Sequence, residues 1–119
     1  MSSIVLNGNV AILDIPINTP LTITAKSNSP TNQVVTIKDG GSVNLMFSGS
    51  GERKLIGQAA VRSRAPLTAT FQYSSQGGLA SPKLNSGGPY SIGKNNFAVV
   101  VAENGDDNDY NDCILQIDW

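Results

Sequence analysis

Five carboxylate side chains are crowded into ten residues near the end of this sequence, in the segment ENGDDNDYND, 103–112. They are Glu103, Asp106, Asp107, Asp109 and Asp112. Like charges at this density repel one another, and ionised carboxylates beside a folded core are costly unless a positive charge neutralises them. A bound cation resolves the conflict, and this oxygen-rich set suits calcium, which takes about six to eight oxygen ligands at flexible angles.

The acidic segment differs from the helix-flanked calcium loop D-x-D-x-N, although DNDYN begins like it. That loop requires glycine where this sequence has Asp112 and a bidentate glutamate where it has Asp118. The flanks, 98–102 and 113–117, are strand-like, so we expect a strand, an acidic loop and a returning strand. The sequence has no histidine and a single cysteine, Cys113, which argues against zinc or copper.

In that geometry, alternate residues 107, 109 and 111 project to one side, and Glu103 and Asp112 close the cluster from its two ends. Four ligand carboxylates carry more negative charge than one divalent ion neutralises, which favours two adjacent calcium ions that share bridging aspartates. Two other interpretations stay open: a solvated acidic turn without an ion, and a calcium site with a purely structural role.

Composition predicts one domain, 1–119: the chain has 119 residues, 39% hydrophobic and 14% charged. The net charge is -1 and the basic residues are scattered, so neither nucleic acid nor an anionic membrane is an expected partner. Apolar stretches such as 97–102 are too short for membrane insertion, and MSSIVLNGN lacks the features of a signal peptide. We expect synthesis in the cytoplasm without a classical signal, with later release or surface display left open. Cys113 is expected to be a buried small hydrophobe.

Apolar and polar residues alternate in several segments, as in 21–26, where Leu21, Ile23 and Ala25 face one way. Glycine, proline, asparagine and serine cluster between them, at 28–32, 39–42, 48–51, 76–78 and 85–89, and predict turns. Segment 74–96 is expected to be a long loop that contains a short strand. The fold class is all-β: an antiparallel β-sandwich of about nine short strands.

Two segments carry a resemblance to a known family. NFAVVVAENGDDNDYNDCILQIDW, 96–119, contains the run DxDYND between an apolar strand that ends in glutamate and one that ends in tryptophan. IPINTPLTITAKSNS, 15–29, contains Pro-x-Asn-Thr before a strand that leads to an asparagine. Both are similar to the bacterial two-calcium lectins that bind fucose and mannose, which are β-sandwich proteins. The resemblance spans nearly the whole chain, with only a general likeness over 49–94.

The resemblance implies that Glu103, Asp107, Asp109 and Asp112 bind one calcium ion, and that Asn28, Asp109, Asn111 and Asp112 bind the other. It also implies that Ser29, Pro30 and Thr31 tune sugar preference, and that Asn104, Asp107, Asp109 and Asp112 contact the sugar. Serine at 29 resembles the fucose-favouring members, but Pro30 removes a backbone donor and stiffens the loop, so the choice of sugar stays open.

Family members continue past the tryptophan with Pro-x-Gly, whose terminal carboxylate reaches a neighbouring subunit's calcium site. The sequence here ends at Trp119, so the source of that ligand is open. We still expect a homo-oligomer, because lectins gain avidity from several sites on one assembly.

A calcium-dependent lectin is therefore the favoured function, and a calcium-stabilised structural or adhesive module without a sugar site is the alternative. We do not expect an enzyme, because the carboxylates are adjacent rather than set across a cleft, and histidine and Gly-x-Ser-x-Gly are absent. Tyr110 and Trp119 could stack on a sugar, but packing in the core is the favoured role for both.

Overall fold

The computed structural model describes residues 3–16, 18–41, 43–75, 77–103 and 112–119. Within these ranges the chain forms nine β-strands and no helix, in agreement with the predicted all-β class. The strands are β1 (Ser3–Asn7), β2 (Val10–Asp14), β3 (Pro20–Lys38), β4 (Asn44–Arg62), β5 (Leu67–Ser75), β6 (Gly78–Ala80), β7 (Lys83–Ile92), β8 (Asn95–Glu103) and β9 (Cys113–Asp118). The described ranges therefore contain no helix that could cross a membrane.

All strand pairs are antiparallel, and the strands follow the order β1-β2-β5-β3-β9-β8-β7. β4 pairs with β3 and β6 with β5, outside this path. The two ends of the path, β1 and β7, contact each other, so the sheet folds over on itself and encloses the core between two faces. The predicted antiparallel sandwich of about nine strands is confirmed.

β3 belongs to both halves of the sandwich. Its residues 22–27 pair with β9, whereas its residues 33–38 pair with β5. β4 follows β3 along the other edge from Pro20 to Lys38, with register shifts confined to the stretch between Ala25 and Gln33. The strand therefore changes partner at an irregular central segment, 28–32.

The core follows the alternation seen in the sequence. Leu21, Ile23 and Ala25 of β3 are buried, whereas Thr22 and Lys26 are exposed. The same period-2 pattern buries residues from both halves of the sandwich, among them Leu13, Val35, Ile37, Leu67, Phe71, Val100, Leu115 and Ile117. Alternate residues of a strand point to opposite faces, so one face of each strand supplies the core.

Several segments predicted to be turns or loops are strands instead. The polar clusters at 28–32, 48–51 and 85–89 lie within β3, β4 and β7, and both β3 and β4 have 19 residues, which makes them much longer than the short strands expected. The expected long loop at 74–96 contains β6, β7 and the start of β8. Many of the residues in these clusters are exposed to solvent, among them Pro30, Ser48, Ser50, Asn85 and Gly88.

Pro89 shows how β7 accommodates residues that normally break a strand. β7 pairs with β8 on both sides of it, and the register shifts between Gly87 and Tyr90. Proline has no N–H to donate to the ladder, so it lies within the irregularity rather than in a paired position. Gly88 has φ +98°, and a Cβ there would lie 3.1 Å from the carbonyl oxygen of Phe97.

Candidate functional site

Three neighbouring strands bring three predicted ligands to the same end of the sheet. Cys113 of β9 pairs with Ser27 of β3 on one side and with Ala102 of β8 on the other. Each of these three paired residues is adjacent in sequence to a predicted ligand: Asn28 follows Ser27, Asp112 precedes Cys113, and Glu103 follows Ala102. Asn28 is remote in sequence from the acidic segment, and the register of β3 against β9 is what places it there.

Backbone hydrogen bonds join these three positions. Asn28 donates its N–H to the carbonyl oxygen of Asp112 at 3.0 Å, and Asp112 donates its N–H to the carbonyl oxygen of Ala102 at 3.1 Å. Asp112 thus lies between the irregular part of β3 and the end of β8. The second bond thus holds the end of β8 next to Asp112, the first residue after segment 104–111.

Glu103 is the most buried acidic residue among those described, with 1% of its surface exposed. It is the last residue of β8, directly before segment 104–111. A carboxylate is tolerated at such a position only when hydrogen bonds or a cation compensate its loss of water. Together with Asp112 and Asn28, it provides an all-oxygen donor set, which is the kind that hard cations such as calcium prefer.

The carboxamide of Asn28 is held from the opposite side by β4. The backbone N–H of Arg53 donates to Oδ1 of Asn28 at 2.9 Å. Asn28 is half-buried, while Arg53 is exposed. Nothing in the sequence pointed to Arg53, because the contact depends on the register shift between β3 and β4.

The segment after Asn28 is stabilised by short-range hydrogen bonds. The Ser29 N–H donates to Oγ of Ser27 at 3.2 Å, and the Thr31 N–H donates to Oγ of Ser29 at 3.1 Å. Nε2 of Gln33 donates to the carbonyl oxygen of Thr31 at 2.9 Å. Ser27, Ser29 and Gln33 are buried, whereas Pro30 is exposed. Local side-chain bonds thus supplement the interrupted ladder and hold the shape of 27–33.

Sequence reasoning missed Ser27 and Gln33 as supports of this segment. The available signal was the run SNSPTNQ, 27–33, which is polar except for Pro30 and lies between two segments that alternate. Buried polar side chains need hydrogen-bond partners, and a run of this kind inside a strand therefore indicates local bonding.

Cys113 and Trp119 have the packing roles expected of them. Cys113 is 1% exposed and belongs to the core, and burial together with the negative charge of Asp112 raises the pKa of its thiol to about 12. Trp119 packs partly buried against the core and exchanges two backbone hydrogen bonds of 2.9 Å with Asn96. Both residues therefore stabilise the β8–β9 pair.

The other predicted site residues, Asn104, Asp107, Asp109 and Asn111, lie outside the described residues, as does Tyr110. Within the described ranges, no three acidic, histidine or cysteine side chains are grouped as a metal site would require. The structure therefore gives the positions of Asn28, Ser29, Pro30, Thr31, Glu103 and Asp112, and the roles of all the proposed ligands stay predictions.

Comparison with solved structures gives matches over nearly the whole chain. The Ralstonia solanacearum high-affinity mannose-binding lectin is 32% identical, with a TM-score of 0.76, over 96% of this chain and 97% of that one. A Chromobacterium violaceum lectin, solved in complex with alpha-methyl-fucoside, is 27% identical, with the same TM-score and the same coverage. The C-terminal domain of a Burkholderia cenocepacia lectin is 20% identical, with a TM-score of 0.72, over 100% of this chain and 97% of that one, and shows the shared fold.

Sequence comparison leads to the same group of proteins. A direct comparison with curated proteins found no match. The profile of the family Fucose-binding lectin II (PA-IIL) matches residues 13–119, which includes every predicted site residue. Lectins bind carbohydrates without transforming them, in agreement with the expectation that this protein is not an enzyme. The chain belongs to the fucose-binding lectin II family of bacterial lectins.

Proposed function

We propose that this protein is a calcium-dependent lectin that binds a fucose- or mannose-type monosaccharide through two calcium ions. The observation that carries the proposal is the meeting of Asn28, at the irregular centre of β3, with Asp112, just before β9, and Glu103, at the end of β8. The sugars named for the two related lectins, mannose and a fucoside, support the ligand class.

The proposed ligands divide between the two ions as the family resemblance implies. Glu103, Asp107, Asp109 and Asp112 hold one ion; Asn28, Asp109, Asn111 and Asp112 hold the other. Three of these six residues are described by the structure, and their donor atoms are oxygens on adjacent strands. A buried carboxylate at Glu103 fits this assignment, since a neighbouring cation offsets the cost of its burial.

Sugar hydroxyls alone bind weakly to a protein surface, because water competes for the same hydrogen bonds. Calcium supplies coordination positions at which neighbouring hydroxyls replace bound water. The carboxylates of Asp107, Asp109 and Asp112 accept hydrogen bonds from the same hydroxyls, and the amide of Asn104 accepts or donates one. The rigid segment Ser29, Pro30 and Thr31 borders the sugar and contributes to the preference between fucose and mannose.

The hydrogen bonds from Asn28 to Asp112 and from Asp112 to Ala102 also favour a second candidate. An ion at this position would link three strands, as in a calcium-stabilised structural or adhesive module that has no sugar site. This candidate requires calcium binding without sugar binding. We expect a homo-oligomer for the lectin, because several weak sugar sites on one assembly gain avidity.

Titration calorimetry with methyl fucoside, methyl mannoside and methyl galactoside, each with calcium and again with excess chelator, tests the proposal. Binding of fucoside or mannoside that disappears with chelator is the expected result. Calcium binding with no response to any sugar would select the structural module. Sugar binding that persists in chelator would overturn the metal-dependent mechanism.

A further inference from the structure

β4 leaves regular strand geometry directly opposite Asn28. Ser27 pairs with Lys54 and Ser29 with Gly51, so the single residue Asn28 on β3 faces two residues, Glu52 and Arg53, on β4. One extra residue on one strand of an antiparallel pair defines a β-bulge, and such bulges commonly redirect groups beside functional sites. We call Glu52 and Arg53 the β4 bulge.

The bulge has an unusual backbone conformation. Arg53 has φ +50°, in the left-handed region, and Gly51 just before the bulge has φ +122°. Side chains other than glycine, asparagine and aspartate are uncommon in this region, and β-branched ones are rare. Among the described residues, Asn18 is the other non-glycine residue with positive φ. The conformation of Arg53 therefore has to be maintained by its surroundings.

This conformation brings the Arg53 N–H to Asn28. The N–H donates to Oδ1 of Asn28 at 2.9 Å, while the backbone N–H of Asn28 donates to Asp112 at 3.0 Å. Only the oxygen of a carboxamide can accept from an N–H, so Arg53 determines which way the Asn28 amide faces. A carbonyl oxygen has two lone pairs and can accept this hydrogen bond while it also binds a cation.

We infer that the β4 bulge is a positioning element of the metal site, in which the backbone N–H of Arg53 orients the Asn28 carboxamide as a calcium ligand. The inference rests on the proposed function, because it assigns a partner to one proposed ligand. The Arg53 side chain has no part in it. Groups that orient a metal ligand typically contribute about 10- to 100-fold to metal affinity.

Two substitutions at position 53 separate backbone from side chain. Arg53→Val removes the guanidinium and disfavours positive φ, whereas Arg53→Gly removes the guanidinium but adopts positive φ freely. Lys54→Val is the matched control, since it places the same residue at the next exposed position of β4, in register with Ser27. Calcium affinity is measured by calorimetry, and the thermal midpoint is measured in chelator.

Arg53→Val is expected to bind calcium about 10- to 100-fold more weakly, while Arg53→Gly restores the affinity. Lys54→Val should resemble the wild type. Equal losses in Arg53→Val and Arg53→Gly would assign the effect to the guanidinium and overturn the inference. Wild-type affinity in Arg53→Val would overturn it too. If the wild type itself binds no calcium, the proposed function fails, and the inference fails with it.

A second measurement does not depend on the folding of Arg53→Val. Amide hydrogen exchange by NMR in the calcium-free protein should show a protected Arg53 amide in the wild type. Asn28→Ala removes the acceptor and should increase exchange at Arg53, with the amides of β1 and β2 unchanged as the internal control. An Arg53 amide that exchanges equally in both proteins would contradict the hydrogen bond on which the inference depends.

Discussion

The backbone N–H of Asn28 donates to the carbonyl oxygen of Asp112 at 3.0 Å, although the two residues are far apart in the sequence. The bond joins the irregular centre of β3 to the residue that precedes β9. Any ion that contacts both residues therefore also ties together the strands that carry them. Metal binding and global stability are expected to be coupled in this protein.

Calcium should stabilise the fold. A ligand that binds only the folded state adds about 2.7 kcal/mol at a hundredfold excess over its dissociation constant, and each tenfold loss of affinity removes about 1.4 kcal/mol of that gain. Glu103→Gln keeps the shape of the buried side chain but removes its charge, so the rise in melting temperature with calcium should be smaller. Calorimetric melting with calcium and with chelator measures both effects.

Asp14→Asn is the control for that experiment, because Asp14 is an exposed carboxylate at the end of β2. It should retain the full calcium-dependent rise. A wild-type melting temperature that is indifferent to both calcium and chelator would count against any ion site in the protein.

Asp109 is predicted to bridge the two ions, so Asp109→Ala should abolish binding of both calcium and sugar. Asp106→Ala removes a carboxylate from the same acidic segment that is not assigned as a ligand, and it should leave both activities intact. Calorimetric titration of each variant with calcium, and then with methyl fucoside or mannoside, makes the comparison. Retained sugar binding in Asp109→Ala would falsify the bridging role.

The side chain of Asp39 joins its own loop, 39–43, to the loop that contains Arg64, outside the proposed site. Its Oδ1 accepts the N–H groups of Val43 at 3.0 Å and Gly41 at 2.8 Å, and its Oδ2 accepts that of Arg64 at 3.3 Å. The bonds from Val43 and Gly41 lower the pKa of Asp39 from its ordinary value of 3.8, with a smaller contribution from Arg64. A carboxyl whose pKa is lowered by folding adds stability above its unfolded pKa, and this stability is lost as the pH falls through the folded value.

Asp39→Asn should consequently be less stable than the wild type at neutral pH, and the difference should shrink as the pH is lowered below 3.8. Urea unfolding in chelator at a series of pH values measures this difference. Asp14→Asn again provides the comparison, with no loss of stability expected at neutral pH. A difference between Asp39→Asn and the wild type that does not change with pH would contradict the role of the ionised carboxylate.

Gly57 of β4 leaves space for an aromatic ring. A Cβ at this position would overlap the ring of Phe47, which lies on the same strand and packs against the core. Gly57→Ala should reduce the free energy of unfolding by about 1–3 kcal/mol, the usual cost of overpacking. Gly41→Ala is the control, since its nearest neighbour beyond the adjacent residues, Oδ1 of Asp39, would lie at an ordinary 3.6 Å. Equal stability of Gly57→Ala and the wild type in urea would show that Phe47 moves aside freely.

The regular parts of this fold could be predicted from the sequence because a half-buried strand leaves a period-2 pattern. Leu21, Ile23 and Ala25 carry that pattern and are buried as expected. The strands that flank the acidic segment were predictable from their short apolar runs, and the burial of Cys113 from its apolar character. These properties depend on local sequence alone.

The course of β3 and β4 could not be predicted in the same way. Polar clusters such as 28–32 have the composition of turns, but here pairing with neighbouring strands continues on both sides of them. The contact of Arg53 with Asn28 depends on a one-residue shift of register, which leaves no local pattern. Asn28 itself was linked to the acidic segment only through family resemblance, and the register of β3 and β9 now provides a physical reason.

The sharing of β3 between both halves of the sandwich constrains how this protein can evolve. The segment 29–31, which borders the proposed sugar site, lies within the joint at which β3 passes from β9 to β5, and the buried residues Ser27 and Gln33 on either side of it hold that joint in shape. Mutations at these two positions therefore put folding at risk. Changes of sugar preference are therefore expected at exposed positions such as Pro30. Mutant libraries designed to change specificity should vary Pro30 and keep Ser27 and Gln33 fixed.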